Sequence, residues 1–363
     1  SFPMSTLPPA RGTSTHTPRW LFAVGAFVLV AISSVIFYFV VTGKTRRANT
    51  VSTPTATSTE SVVTALRPRH LDGVLVPLGQ EALPVRAIMV DNQIDARPWS
   101  GVSQAQLVIE APVEGGITRL LAFFDASTTV AQVGPVRSAR PYFVDWAQGF
   151  NALYTHVGGS PEALEKIRSL GKNFFDLNEM GYGRYFWRDS RRVAPHSTYT
   201  KSDLLSEAAL RLGATSSAPL TWQFADAATS TAATVKRIVI PYGGSYSVGW
   251  NFNQDTGRYT RTVGTKDQRD AEGNILEASN VVLIKTDAQI LDNYGRLKLR
   301  TTGSGDALIY RNGQKYTARW RRSAGEPIDF VSIDGTDMVL SRGTTWIQVT
   351  TDDLVFAGLT ATK

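Results

Sequence analysis

Residues 85–92 read Val-Arg-Ala-Ile-Met-Val-Asp-Asn, an apolar run that ends on an Asp-Asn turn signal and is typical of a buried strand. Strand-like runs of the same kind recur along the chain, at residues 106–109, 119–124 and 152–157. Because helix-like segments alternate with these runs, we predict a mixed α/β domain over residues 71–213.

The helices of this domain are marked by their ends. Ser160 places a capping hydroxyl before Pro161 at the first helical position, and the helix is expected to end near Gly171. Ser202 caps a second helix, which Gly213 ends. Each helix therefore has a defined start and stop in the sequence.

A change of composition separates this domain from the rest of the chain. Residues 214–234 are mostly small, polar and weakly periodic, as in an interdomain linker. Beyond them, alternating apolar runs are separated by hairpin signals such as Asn312-Gly313 and Asp334-Gly335. We therefore predict a second, mainly antiparallel β domain over residues 235–358.

The net charge of +7 is concentrated before the predicted domains. Residues 1–70 hold seven Lys or Arg and one acid, which leaves 31 basic and 30 acidic residues in 71–363. A near-neutral body lacks the basic surface that nucleic acids require, so no nucleic-acid partner is expected. The chain has no cysteine, which excludes disulfide scaffolds and thiolate zinc sites.

Residues 20–42 form an uncharged run rich in Val, Phe, Ile, Leu and Ala. As a helix this run is about 34 Å long, enough to cross a hydrocarbon core of about 30 Å. We predict a single-pass transmembrane helix in contact with membrane lipid, preceded by a short cytoplasmic tail, 1–19, and followed by a Ser/Thr-rich flexible stalk, 43–70. Since long domains translocate largely regardless of flanking charge, the body is expected outside the cytoplasm, at the cell membrane.

Familiar catalytic motifs are missing from the sequence. It contains no Gly-x-Ser-x-Gly elbow, no Gly-x-x-x-x-Gly-Lys-Ser/Thr loop and no His-Glu-x-x-His. With only four histidines and no cysteine, a His-rich metal site is not expected. We therefore assign no cofactor and no metal from motifs.

The loop at 134–140 runs into Pro141, a residue favoured at the first position of a helix. A helix starting there would place Arg137, Ser138 and Arg140 beside free backbone N–H groups and the positive end of the helix dipole. This arrangement favours a phosphate or carboxylate ligand. The two arginines can equally pair with nearby acids and only fix the loop, and the residues alone leave both interpretations open.

A second polar segment, 184–196, interleaves four arginines with aromatic residues and has no periodicity. Long irregular loops are more often functional than core. Arg188 and Arg192 are therefore candidates for binding an anionic ligand. His196 is a candidate general base, although a hydrogen-bonded structural histidine fits the sequence as well.

A third polar segment places Glu110 and Glu114 around a glycine-containing turn that leads to Arg119. Paired carboxylates serve as acid and base, or bind a hard cation such as Mg²⁺. Asp91 and Asp125 are weak candidates for further ligands of that cation. A salt-bridge network between these acids and the nearby arginines would account for the same residues without any catalytic or metal-binding role.

Taken together, these segments resemble the YerB-like family of bacterial lipoproteins, whose members carry two tandem domains of unknown function. The motifs that carry the resemblance cover most of residues 72–355 and include Asp91-Asn92, Glu114-Gly115-Gly116-Ile117-Thr118-Arg119, Gly134 to Arg140, His156-Val157-Gly158-Gly159-Ser160, Phe186-Trp187-Arg188-Asp189, Ala194-Pro195-His196 and Gly343-Thr344-Thr345-Trp346-Ile347. The resemblance implies an envelope location and an α/β plus β build, and it supplies no established activity. This chain has no lipobox cysteine, so residues 20–42 are expected to replace the lipid anchor.

Three functions fit these observations. The first is a membrane-anchored, extracytoplasmic protein that binds an anionic envelope ligand through Arg119, Arg137, Ser138, Arg140, Arg188 and Arg192. The second is an envelope hydrolase or transferase that uses Glu110, Glu114 or His196, with Mg²⁺ as the one metal considered. The third is a structural module that binds a partner protein.

Overall fold

The computed structural model describes residues 65–226 and 233–351, which form short strands and four α-helices. The strands are β1 (Leu66–Pro68), β2 (Leu75–Pro77), β3 (Val85–Asp91), β4 (Leu107–Pro112), β5 (Thr118–Asp125), β6 (Leu153–His156), β7 (Asp176–Asn178), β8 (Trp187–Arg188), β9 (Thr198–Tyr199), β10 (Gln223–Ala225), β11 (Arg237–Ile240), β12 (Val248–Asn253), β13 (Arg258–Val263), β14 (Lys266–Asp267), β15 (Glu277–Ala278), β16 (Asn280–Lys285), β17 (Ala288–Ile290), β18 (Leu297–Leu299), β19 (Gly303–Arg311), β20 (Gln314–Arg322), β21 (Asp329–Ser332), β22 (Val339–Ser341) and β23 (Thr345–Thr350). The helices are α1 (Pro141–Gly149), α2 (Pro161–Leu170), α3 (Glu179–Tyr182) and α4 (Ser202–Leu212).

One ten-stranded sheet runs through both halves of the described chain, in the order β21-β20-β19-β16-β23-β4-β5-β3-β6-β7. The mixed α/β character of the first half and the strand-rich second half were both predicted, and both are confirmed. The second half was predicted to be mainly antiparallel, but the strands that join it to the first half are parallel. Strand β16 pairs in parallel with β23, and β23 pairs in parallel with β4. Every residue of β23 and all but the last residue of β16 are buried, as expected for strands covered on both faces, although β23 includes the polar residues Thr345, Gln348 and Thr350.

Successive side chains of the central strands enter two separate hydrophobic clusters. In β3, Ala87 and Met89 join one cluster, whereas Ile88 and Val90 join the other. Helices α1 and α2 pack on the first face of the sheet, and α4 packs on the second. A smaller sheet of β11, β12, β13 and β14, with β15 beside β13, also covers the second face. The central strands of the large sheet are therefore covered on both faces, whereas β20, near one edge, exposes every second side chain to solvent.

Folded structure extends into two segments for which the sequence predicts no fold. At the end of the predicted stalk, β1 pairs with β2 in antiparallel fashion. Within the predicted linker, β10 pairs in parallel with β22, and the indole N–H of Trp222 donates to the Ile328 carbonyl at 2.9 Å. The predicted linker is mostly small and polar, but the aromatic residue Trp222 within it is buried and packs this segment onto the fold.

The predicted transmembrane helix, 20–42, and the predicted tail, 1–19, lie outside the described residues. Within 65–226 and 233–351, no helix has the length and apolar character needed to cross a membrane.

The cap of α2 gives a first testable prediction. Ser160 precedes Pro161, and its hydroxyl accepts a hydrogen bond from the backbone N–H of Ala163 at 3.3 Å, as the sequence indicates. Ser160→Ala should lower the free energy of unfolding by about 0.5–2 kcal/mol, since a backbone donor of the first turn loses its partner. Urea denaturation measures the change. The matched control is Ser169→Ala in the last turn of α2, which should cost no more than about 0.5 kcal/mol.

Candidate functional site

Polar side chains gather where β3, β6 and β7 end. These three strands run in parallel, and their last residues are Asp91, His156 and Asn178. Strand β5 runs the other way, so Arg119 near its start lies opposite Asp91 at the same edge. In open α/β sheets ligands bind outside the carboxyl ends of the strands. The topology therefore predicts a ligand site at this edge of the sheet.

Glu110, near the end of β4, lies in a closed polar network. Its carboxylate accepts hydrogen bonds from Arg261 Nη2 at 2.8 and 3.1 Å, and neither side chain is exposed. Four further donors surround it: Asn92 Nδ2 at 3.2 Å, Thr118 Oγ1 at 2.6 Å, Trp346 Nε1 at 3.3 Å and Gln348 Nε2 at 3.1 Å. A carboxylate with this many donors has no room for an acid or base role toward solvent. The placement favours a structural role over the catalytic role considered from sequence.

The guanidinium of Arg261 is held between two indole rings. Its Cζ atom lies 5.3 Å from the ring centroid of Trp99 and 5.2 Å from that of Trp346. Because Arg261 belongs to β13 and Glu110 to β4, this pair joins the two halves of the chain. Arg261 was not predicted from the sequence. Its one signal was a charged residue two positions after buried Tyr259, on the same face of the strand.

Glu114 and Arg140 form a second pair, at the rim of the edge. Helix α1 begins at Pro141, as expected, and Arg140 precedes it. Arg140 donates through Nε and Nη2 to the two oxygens of Glu114, at 2.5 and 2.9 Å, and through Nη1 to the Ala139 carbonyl at 2.7 Å. Although burial opposes ionisation of Glu114, the hydrogen bonds from Arg140 keep the pKa of this carboxyl below its ordinary value. Glu114 is therefore a paired carboxylate.

Asp91 holds a histidine and an arginine on one oxygen. His196 Nδ1 lies 2.7 Å from Asp91 Oδ2, and Arg137 Nε lies 3.0 Å from the same atom. The backbone N–H of Gln93 donates to the other oxygen at 3.1 Å. Asp91 is almost fully buried, whereas a quarter of the Arg137 side chain is exposed. The sequence offered His196 without a visible partner, and the structure supplies one from a strand 105 positions away.

Arg119 is a buried cation with little to balance it. Its Nη1 donates to the Ser138 carbonyl at 2.6 Å, and its Nε has no hydrogen-bond partner among the described residues. Burial, together with the charges of Arg140 and Arg137, lowers the pKa of Arg119 from 12.5 to about 10, against an opposing effect of Asp91. Burying this charge at the strand edge is therefore electrostatically unfavourable and lowers the free energy of unfolding.

A cleft of about 420 Å³ opens beside the Glu114–Arg140 pair. Its walls are Glu114, Ser138, Arg140, Gly159, Ser160, Pro161, Tyr294 and Arg296. The last two come from the hairpin of β17 and β18, which is tied to the start of α2 by Arg296 Nη1 and Glu162 at 3.1 Å. The volume falls in the range of small-molecule sites. The cleft is thus built by residues of both halves.

The remaining predicted residues lie elsewhere. Arg188 pairs with Glu179 at 3.1 Å and is half exposed. Arg192 donates to the Pro98 carbonyl at 2.7 Å and fastens its loop to the segment after β3. Asp125 ends β5 opposite Val85, at the far end of the strand pair from Asp91, so these two carboxylates cannot share a cation. In the part of the chain that the structure describes, no group of three or more metal-ligating side chains is found.

The comparisons with known proteins agree on one family. Residues 74–215 match the model described as "Protein of unknown function (DUF3048) N-terminal domain", and residues 238–347 match the corresponding C-terminal domain. The chain is 32% identical over 280 residues to a Bacillus subtilis (strain 168) protein called "Putative lipoprotein YerB", which covers 75% of this chain and 82% of that protein. The crystal structure of YerB from Bacillus subtilis superposes with a TM-score of 0.70 at 31% identity, over 79% of this chain and 97% of that one.

Proposed function

Since this chain belongs to the DUF3048 family and carries both of its domains of unknown function, we propose that it is a membrane-anchored, extracytoplasmic envelope protein that binds an anionic ligand. The ligand carries phosphate or carboxylate groups and is held at the edge formed by Arg119, Arg137, Ser138 and Arg140. No cofactor and no nucleic acid is part of this proposal.

The location rests on two observations. The Bacillus subtilis relative is called "Putative lipoprotein YerB", a name that supports a membrane location for this chain. In this chain, residues 20–42 have the length and composition of a transmembrane helix, which serves as the anchor in place of a lipid. The body then lies outside the cytoplasm, next to the anionic polymers and precursors of the envelope.

Ligand binding rests on one observation, the surplus of guanidinium groups at the edge. Arg119, Arg137 and Arg140 face two carboxylates, Asp91 and Glu114. The nitrogens of Arg140 are engaged within the protein, but the two terminal nitrogens of Arg137 have no partner among residues 65–226 and 233–351. These donors, on a side chain that is one quarter exposed, suit the bidentate recognition of a phosphate or carboxylate.

Arg137→Ala tests this function. We expect the full-length chain in detergent micelles to bind pyrophosphate in isothermal titration calorimetry, and the variant to bind it about 10- to 100-fold more weakly. The reason is the loss of charge-assisted hydrogen bonds worth about 1.5–3 kcal/mol.

The matched control is Arg168→Ala, which removes an arginine that is 73% exposed and paired with Glu165 on α2. Its affinity for pyrophosphate should equal that of the wild-type chain. Equal affinity in Arg137→Ala, or no binding of pyrophosphate, phosphate or citrate by the wild-type chain, contradicts the proposed site.

A further inference from the structure

His196 and Asp91 are arranged as an oriented base and its partner. The ring contacts Asp91 through Nδ1 at 2.7 Å, and Asp91 is held in turn by the Gln93 backbone N–H at 3.1 Å. No partner for His196 Nε2 is found in the described part of the chain, and the side chain is 12% exposed. When Nδ1–H donates to the carboxylate, the lone pair of a neutral ring is at Nε2, which leaves that atom free to accept a proton.

The loop that carries His196 is fixed in place. Arg192 donates to the Pro98 carbonyl at 2.7 Å, and the Asp189 backbone N–H donates to the Ser197 carbonyl at 2.8 Å. The His196 backbone N–H donates to the Val193 carbonyl at 2.9 Å. A catalytic base requires this kind of positioning, because its ring must not rotate away from the reacting atom.

The base stands next to the anion site. Arg137 and His196 contact the same oxygen of Asp91, so an anion bound by the terminal nitrogens of Arg137 lies beside the imidazole. Only Nδ1 of His196 is used in the contact with Asp91, whereas Nε2 has no partner among the described residues. The position of His196 beside Arg137 therefore indicates a catalytic role in addition to binding.

We propose that His196 is the general base of a phosphate-ester hydrolase, a proposal that rests on the anion site described above. Arg137 holds the phosphate of the ester. His196 Nε2 takes a proton from a water molecule while the water oxygen forms a bond to phosphorus. The bond between phosphorus and the leaving oxygen breaks, and that oxygen takes the proton back from the imidazolium. No oxidation state changes, and water is the only co-reactant. Asp91 does not touch the reacting atoms and acts as a positioning residue for the imidazole.

Hydrolysis of bis(p-nitrophenyl) phosphate and p-nitrophenyl phosphate by the full-length chain in micelles tests the proposal. We expect the wild-type chain to release p-nitrophenolate from at least one ester. His196→Ala should lose about 100-fold or more of this rate, the usual contribution of a general base. It should still bind pyrophosphate as the wild-type chain does. Added imidazole should restore part of its activity, an effect that a purely structural histidine would not produce.

Asp91→Asn should lower kcat at least 10-fold, since the ring loses its charged partner. Because Arg137 contacts the same carboxylate oxygen, KM should rise as well, but by less than in Arg137→Ala. Arg168→Ala is the control with unchanged hydrolysis. Wild-type hydrolysis no faster than buffer, or His196→Ala as active as wild type, overturns the hydrolase. If the hydrolase fails in this way but Arg137→Ala still loses pyrophosphate binding, the binding function is supported without the hydrolase. Failure of the hydrolase can therefore be told apart from failure of the binding function.

Discussion

Glu110→Ala should lower the free energy of unfolding by about 3–5 kcal/mol, since it leaves the charge of Arg261 buried without a counter-ion. Both side chains have zero exposure in the folded chain, and Arg261 has two nitrogens, Nε and Nη1, with no hydrogen-bond partner among the described residues. Removing Glu110 also leaves Asn92, Thr118, Trp346 and Gln348 short of an acceptor. Urea denaturation followed by tryptophan fluorescence measures the loss.

Two variants serve as controls for Glu110→Ala. Glu165→Ala breaks an ion pair with both partners more than two-thirds exposed, and it should change the free energy of unfolding by no more than about 1 kcal/mol. Replacing both buried partners, with Glu110→Leu and Arg261→Met, should cost less than Glu110→Ala alone, because no unpaired charge remains. A double variant that is less stable than the single one would show that desolvation does not dominate at this pair.

Arg119→Met should raise the free energy of unfolding by about 1–3 kcal/mol and weaken pyrophosphate binding at least about 10-fold. At neutral pH, below the lowered pKa of about 10, the guanidinium is charged in both the folded and the unfolded chain, so the burial cost is present in full. Methionine removes that cost and the repulsion from Arg137 and Arg140. It also removes one positive charge beside the bound anion. Residues that are required for function often lower the stability of the folded chain in this way.

The matched control for binding is Arg86→Met, at the other end of β3. Arg86 is also buried, and its pKa is also lowered, chiefly by burial. It donates to Ser206 Oγ at 2.8 Å, away from the anion site. Pyrophosphate affinity should be unchanged in this variant. A lower free energy of unfolding in Arg119→Met would mean that Arg119 stabilises the edge, and it would contradict a net electrostatic cost of burying this guanidinium.

Local patterns predicted the parts of the site but not their partners. The start of α1 at Pro141 and the cap of α2 at Ser160 follow from neighbouring residues, because capping is a short-range interaction. The partner of Glu110 is 151 positions away in β13, and the partner of His196 is 105 positions away in β3. No local pattern carries such information, since these pairs form only after the strands have taken their order in the sheet.

The sequence by itself determined the family, through the motifs that this chain shares with its relatives. It also determined the mixed α/β first half, the strand-rich second half and the near-neutral body, because periodicity, capping and composition are properties of the local chain. Only the tertiary structure decided how the two halves join, since parallel pairing of β16, β23 and β4 depends on burial of both sheet faces. The tertiary structure also decided which charged side chains pair with each other. Glu110 is paired with Arg261, whereas the two terminal nitrogens of Arg137 have no partner among residues 65–226 and 233–351. Burial and distance separate a structural ion pair from a binding site, and neither is written in the order of the residues.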